Sequence, residues 1–190
     1  MKAFRNSYPA YLFLYSFYFM STALFTTLIS VYLIGQQYSA SQVSNLVSTA
    51  FFLSMLTQPL FGYINERFGI VKITTLSLGV LMAGVGGFIW APNFFWLTIF
   101  YGLVLLCLNG TAPMMEILAT QSPYAFGKIR VWGTLGYAAG AQLAGWLYAH
   151  LSPQSVYYCV LVTILLSFFT LGAIRIDKTN RVQKEAVSIR

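Results

Sequence analysis

The 190-residue chain is 58% hydrophobic and 17% aromatic, and only 8% of it is charged, against roughly 25% in soluble domains. Its formal net charge is +7, from 11 Lys and Arg against 4 Asp and Glu. Such a chain cannot dress a water-facing surface with charge, so a soluble domain is excluded; the positive excess is read as membrane topology, with no nucleic-acid partner.

The charges fall into short stretches that leave residues 6–65, 73–115 and 131–174 without Asp, Glu, Lys or Arg. A membrane-spanning helix takes about 20 apolar residues, so each block suits two helices around a turn, at 35–41, 91–93 and 150–154. The fold class is therefore an all-α integral membrane bundle of six spans, near 8–34, 41–65, 70–90, 95–119, 127–149 and 155–175. The first span has a basic start, but its apolar stretch exceeds the about 7–15 residues of a cleavable signal segment, so it reads as a retained helix. The second contains Pro59 and ends in a charged connection.

Small residues mark the third span at Gly79, Ala83 and 84–87. In the fourth, Pro113 follows Asn109, Gly110 and Thr111 and removes a backbone hydrogen bond, which predicts an irregular helix just before Glu116. The fifth repeats Gly136, Gly140 and Ala144 every four residues, with Gly133 one turn earlier. That spacing suits close helix packing, and a surface that slides during conformational change is the alternative. Residues 1–175 form the bundle and 176–190 a polar cytoplasmic tail or the start of a linker.

Lys2, Arg5, Arg67, Lys72, Lys128, Arg130, Arg175, Lys178, Arg181, Lys184 and Arg190 all lie at the ends, or near the second-third and fourth-fifth connections. Basic residues in short loops stay on the cytoplasmic side, so both termini are expected inside. Cys107 and Cys159 fall mid-span and read as small apolar residues. With a single His there is no pattern for a metal or disulfide framework, and no cofactor is expected. An enzyme is not indicated, since no nucleophile with a partner base appears.

Of the four acidic residues, Asp177 and Glu185 belong to the tail. Glu116 lies about one turn before the polar end of the fourth span and Arg130 about one turn into the antiparallel fifth, so an ion pair between them is geometrically reasonable. A charge at a helix centre costs about 2.5–3.5 kcal/mol on insertion scales and normally faces a cavity or the bundle interior; near the interface either side chain could instead snorkel to headgroups. The connection at 62–72 brackets Glu66 and Arg67 between Gly62 and Gly69, with Lys72 following. Its glycines allow a tight turn.

Gly62, Glu66, Arg67 and Gly69 resemble the loop motif of the major facilitator superfamily, with Glu66 where Asp is usual and Ile70 where a basic residue is common. Residues 58–62, 112–116 and 126–130, with Gly133 and Gly136, narrow the resemblance to its lactose-permease-like, oligosaccharide:proton symporter branch. It covers essentially the whole chain and the N-terminal six-helix half of that family. The resemblance implies two inverted three-helix repeats and a secondary active transporter, multi-pass in the bacterial cytoplasmic membrane. The solute would be a small polar one, a sugar or nucleoside, moved with a proton by alternating access.

By the same resemblance, Glu116 and Arg130 hydrogen-bond sugar hydroxyls, Tyr137 stacks on the sugar ring where the family has Trp, and Gly62, Glu66, Arg67, Gly69 and Lys72 form the gate. The partner would be a complementary C-terminal six-helix half. A half-size transporter pairing with a second copy of itself, and a non-transporting membrane adaptor or inactive truncated product, are the alternatives.

Overall fold

The structure, a computed structural model, describes residues 6–174. Among them every regular element is an α-helix: α1 Tyr8–Thr26, α2 Ile29–Gly35, α3 Ala40–Phe68, α4 Ile70–Ile89, α5 Phe94–Thr120, α6 Phe126–His150 and α7 Ser155–Gly172. Lys2, Arg5 and the tail from Arg175 onward lie outside the described residues.

Local chemistry sets the ends. Ser39 and Gln42 form a reciprocal capping box at the start of α3, the Ser39 N–H donating to Gln42 Oε1 at 2.9 Å. Asn93 caps α5 by accepting from the Trp96 N–H at 3.2 Å. A single residue, Gly69, joins α3 to α4, at φ +91°, a conformation that suits glycine. Its N–H donates to the Asn65 carbonyl at 2.9 Å.

Five helical stretches are long and apolar enough to cross a membrane: Tyr8–Gly35, Ala40–Phe68, Ile70–Ile89, Phe94–Thr120 and Ser155–Gly172. The 29 residues of α3 reach roughly 43 Å at about 1.5 Å per residue, beyond the about 30 Å of a hydrocarbon core. The sixth expected span, α6, has 25 residues and the length to cross, but Gly and Ala stand where larger apolar side chains would raise its hydropathy.

The first expected span is two helices rather than one. Thr27 keeps right-handed helical angles, and its N–H still reaches the Ala23 carbonyl at 3.0 Å; Leu28, at φ −110° and ψ 12°, leaves the helix. The Thr22 and Thr26 hydroxyls turn back onto the Tyr18 and Thr22 carbonyls at 3.0 and 2.8 Å, a bonding pattern that bends helices. The opposite difference occurs at Pro113, where α5 runs unbroken. Polar contacts from neighbouring helices brace that region: the Tyr18 hydroxyl donates to the Leu108 carbonyl at 2.6 Å, and Asn109 Nδ2 donates to Ser54 Oγ at 2.9 Å.

α1 packs on α6 and α7, α5 packs on α3 and α4, and α4 packs on α7. This pattern is unchanged when α1, α3 and α4 are exchanged for α5, α6 and α7. Between α1 and α6 the approach reaches the backbone. A Cβ on Gly133 would lie 2.8 Å from ring carbons of Tyr15 and Phe19, one on Gly140 2.6 Å from the Met20 carbonyl oxygen, and one on Gly136 would collide with the Ser16 backbone. The glycine repeat thus lets two backbones touch. Phe25, Tyr32, Phe88, Tyr101 and Tyr157 form an aromatic core among α1, α2, α4, α5 and α7. α3 is the least covered helix, with Phe51, Phe52, Met55, Leu56 and Tyr63 facing outward.

Candidate functional site

Glu116 sits on the penultimate turn of α5, three residues past Pro113, and Arg130 on the second turn of α6. The antiparallel turn between the two helices brings Arg130 Nη1 to 2.9 Å from Glu116 Oε1. The Arg130 and Glu116 side chains remain 56% and 47% exposed, so the pair adds little stability and is open to a competing partner. The Arg130 guanidinium also lies 5.6 Å from the centre of the Phe126 ring.

This pair forms one edge of an open cleft of about 220 Å³ lined by Tyr15 and Phe19 of α1, Glu116 of α5, and Arg130, Gly133, Thr134 and Tyr137 of α6. Tyr137 is 43% exposed. Arg130, Thr134 and Tyr137 follow the spacing of one helical face, and the neighbouring face of Gly133, Gly136 and Gly140 is buried against α1. α6 is thereby sorted into a packing seam and a polar face.

Tyr15, Phe19 and Thr134 were missed by sequence reading. Thr134 was within reach, one turn beyond Arg130. Tyr15 stands among Tyr8, Tyr11 and Tyr18 on the same helix, and composition does not single it out. Its ring is 1% exposed, and its buried hydroxyl has no hydrogen-bond partner.

The 62–72 segment is arranged differently. Glu66, Arg67 and Lys72 are all exposed, and among the described residues the Glu116–Arg130 pair is the ion pair observed within 4.0 Å. Arg67 instead lies 5.6 Å from the centre of the Phe68 ring, while Asn65 is buried. The structure therefore gathers Glu116, Arg130 and Tyr137 into one cleft and leaves the charges of the expected gating motif apart from it.

Several contacts place the charged connections at one end of the bundle. The Tyr8 hydroxyl donates to the Lys128 carbonyl at 3.2 Å and accepts from Trp132 Nε1 at 2.9 Å. Tyr124 donates to the Asn6 carbonyl at 3.3 Å, and the Asn6 N–H reaches the Ala173 carbonyl at 3.1 Å. Near the start of α4, Thr74 contacts Met114 Sδ of α5 at 3.5 Å.

The sequence matches the profile of the Major Facilitator Superfamily over residues 11–188. The chain belongs to that superfamily. It is a multi-pass membrane protein of a transport family, and membership in it sets the enzyme reading aside. Among characterised relatives, it is 28% identical to the sucrose permease of Escherichia coli and 27% identical to the maltose permease of Geobacillus stearothermophilus. These matches cover 83% and 85% of this chain but 41% and 42% of the permeases, so the chain spans less than half the length of the relatives it matches.

Proposed function

We propose that this chain builds one wall of the solute pathway of a sugar permease, with Glu116, Arg130 and Tyr137 as the sugar-binding residues. The observation that carries the reading is the half-exposed Glu116–Arg130 pair beside the open face of Tyr137. A carboxylate accepts from sugar hydroxyls and a forked guanidinium donates to them, while an aromatic face takes the C–H side of a pyranose ring. Because the pair is weakly held, a polyhydroxylated solute can replace half of it at small cost.

Several further features fit the same reading. The cleft is smaller than the about 300–1,000 Å³ of sites that enclose a ligand, as one wall of a shared cavity would be. The outward faces of α3 and α6 then take a complementary six-helix half. The exchange pattern in helix packing supports two three-helix repeats, with α1–α2 together, α3, α4, α5, α6 and α7 as six spans. Arg67, Lys72, Lys128 and Arg130 gather at the end where α1 begins, which supports a cytoplasmic location for both termini. Proton coupling and a gate at Gly62, Glu66, Arg67, Gly69 and Lys72 belong to this reading. In that gate Glu66 engages a partner on the complementary half rather than Arg67 or Lys72.

Equilibrium binding of sucrose, maltose and a set of nucleosides to the purified chain, with Glu116→Gln and Arg130→Ala beside it, tests the site. Unchanged sugar binding by both variants would sink it, and a nucleoside bound in preference to either sugar would change the solute class. A second copy of this chain is the other candidate for the uncovered faces of α3 and α6; cross-linked homodimers with uptake activity favour it. Sugar protection of a Thr134→Cys variant, whose side chain lines the cleft, from a thiol reagent separates both transporter readings from an adaptor.

A further inference from the structure

We propose that the Tyr15 hydroxyl is a third hydrogen-bonding group of the cleft, left free for a hydroxyl of the bound solute. The inference rests on reading the cleft as a saccharide site, and it adds a specificity-determining residue on α1, a helix that otherwise presents Phe19 to the cleft.

Burying a polar group without a partner is costly, and two other tyrosine hydroxyls of α1 illustrate the rule. Tyr8 bonds to Trp132 and to the Lys128 carbonyl, and Tyr18 bonds to the Leu108 carbonyl. Tyr15, between them, is 1% exposed and its hydroxyl has no partner. Tyr101 shares the condition, but its ring is packed among Phe25 and Phe88 in the aromatic core. Tyr15 lines the cleft instead, within electrostatic reach of Glu116 and Arg130.

The ring is fixed from two sides. Gly133 leaves room for it at the α1–α6 seam, and Phe19 stands 5.4 Å away, centre to centre. The Glu116–Arg130 pair beside it is half-exposed and moves at little cost. A solute that takes those side chains as partners sits in the cleft that Tyr15 also lines. A phenol both donates and accepts, so it serves a sugar hydroxyl in either role. A site that buries such a group discriminates strongly against an analogue that lacks the matching hydroxyl, because the protein group is then left unpaired.

The test uses Tyr15→Phe, which keeps the ring and its packing, and measures binding of sucrose, maltose and their monodeoxy forms by tryptophan fluorescence. Tyr15→Phe should weaken the parent sugar about tenfold, the size of one lost hydrogen bond. One monodeoxy form should bind the variant and the unaltered chain alike. The variant's thermal midpoint should be no lower than that of the unaltered chain, since its hydroxyl has no internal partner to lose. Equal parent-sugar affinity, an equal loss for every deoxy form, or a midpoint lower by several degrees would overturn the inference. Arg130→Ala keeps the two levels apart. If it loses sugar binding while Tyr15→Phe does not, only the role of Tyr15 falls. If the unaltered chain binds neither sugar, alone or coexpressed with a complementary six-helix half, the saccharide reading and this inference fall together.

Discussion

Replacing Gly136 by Ala adds one methyl group at the point where α1 and α6 touch, and the structure gives that methyl no room. Its carbon would collide with the Ser16 backbone, and backbone cannot rotate aside as a side chain can. At Gly140 the same addition would come to 2.6 Å from the Met20 carbonyl oxygen, where ordinary contact begins at 3.4 Å. There the helices must part by roughly 0.8 Å, and at Gly136 by more, which thins the dispersion contact along the whole seam. Overpacking of this kind costs about 1–3 kcal/mol, or roughly 4–8 °C in thermal midpoint for a loss near 2 kcal/mol in a chain of this size. The control lies on the same helix: a Cβ on Gly145 meets nothing within 4 Å, and Ala there gains about 0.5–1 kcal/mol of helix propensity. Both variants are to be unfolded in the same detergent and followed by circular dichroism. If Gly136→Ala unfolds at or above the midpoint of Gly145→Ala, the backbone-contact seam is wrong.

Tyr18→Phe removes the 2.6 Å bond to the Leu108 carbonyl beside the Pro113 region and should cost about 1 kcal/mol in the same unfolding assay, unlike Tyr15→Phe one turn away. Gly69→Ala has open space around it but a backbone at φ +91° and ψ 137°; it should lose about 1–3 kcal/mol from conformation alone, and an unchanged midpoint would show that the α3–α4 joint relaxes freely. Arg130→Ala and Glu116→Gln break a half-exposed pair, so each should lower stability by less than about 1 kcal/mol while sugar affinity is lost. A midpoint that collapses along with binding would make the pair structural.

The all-helical membrane class was legible because charge is so scarce: long uncharged blocks leave few ways to build anything but apolar helices, five of which are long and apolar enough to cross a bilayer. Close packing along α6 was legible from Gly136, Gly140 and Ala144, with Gly133 one turn earlier, since a four-residue repeat of small residues has few uses on a helix in lipid; that α1 is the partner was not. The Glu116–Arg130 contact followed from an antiparallel pair with a short connection. What escaped the sequence depended on tertiary partners. The interruption at Thr27 and Leu28 turns on threonine hydroxyls choosing backbone carbonyls, and the unbroken course of α5 past Pro113 has support from Tyr18 and Ser54 on other helices. Tyr15 differs from Tyr18 only in what each hydroxyl meets, and that is fixed by neighbours far along the chain.

The helix that falls short of the apolar standard for a span is also the helix that contributes most to the cleft, and the two facts have one cause. A lipid-facing helix needs large apolar side chains all round, but α6 spends one face on glycines that admit α1 and another on Arg130, Thr134 and Tyr137. Little of its surface is left to raise hydropathy. An exposed Arg130 turned toward hydrocarbon would cost up to about 2.5–3.5 kcal/mol, so the polar face must meet water, solute or protein. Large apolar residues do appear on a third strip, at Val131, Leu135 and Trp146, all exposed. That strip suits lipid or a covering helix, and it lies apart from the residues that line the cleft. On the proposed reading, low hydropathy in α6 marks a helix that lines a pathway, and hydropathy alone would undercount the spans for that reason.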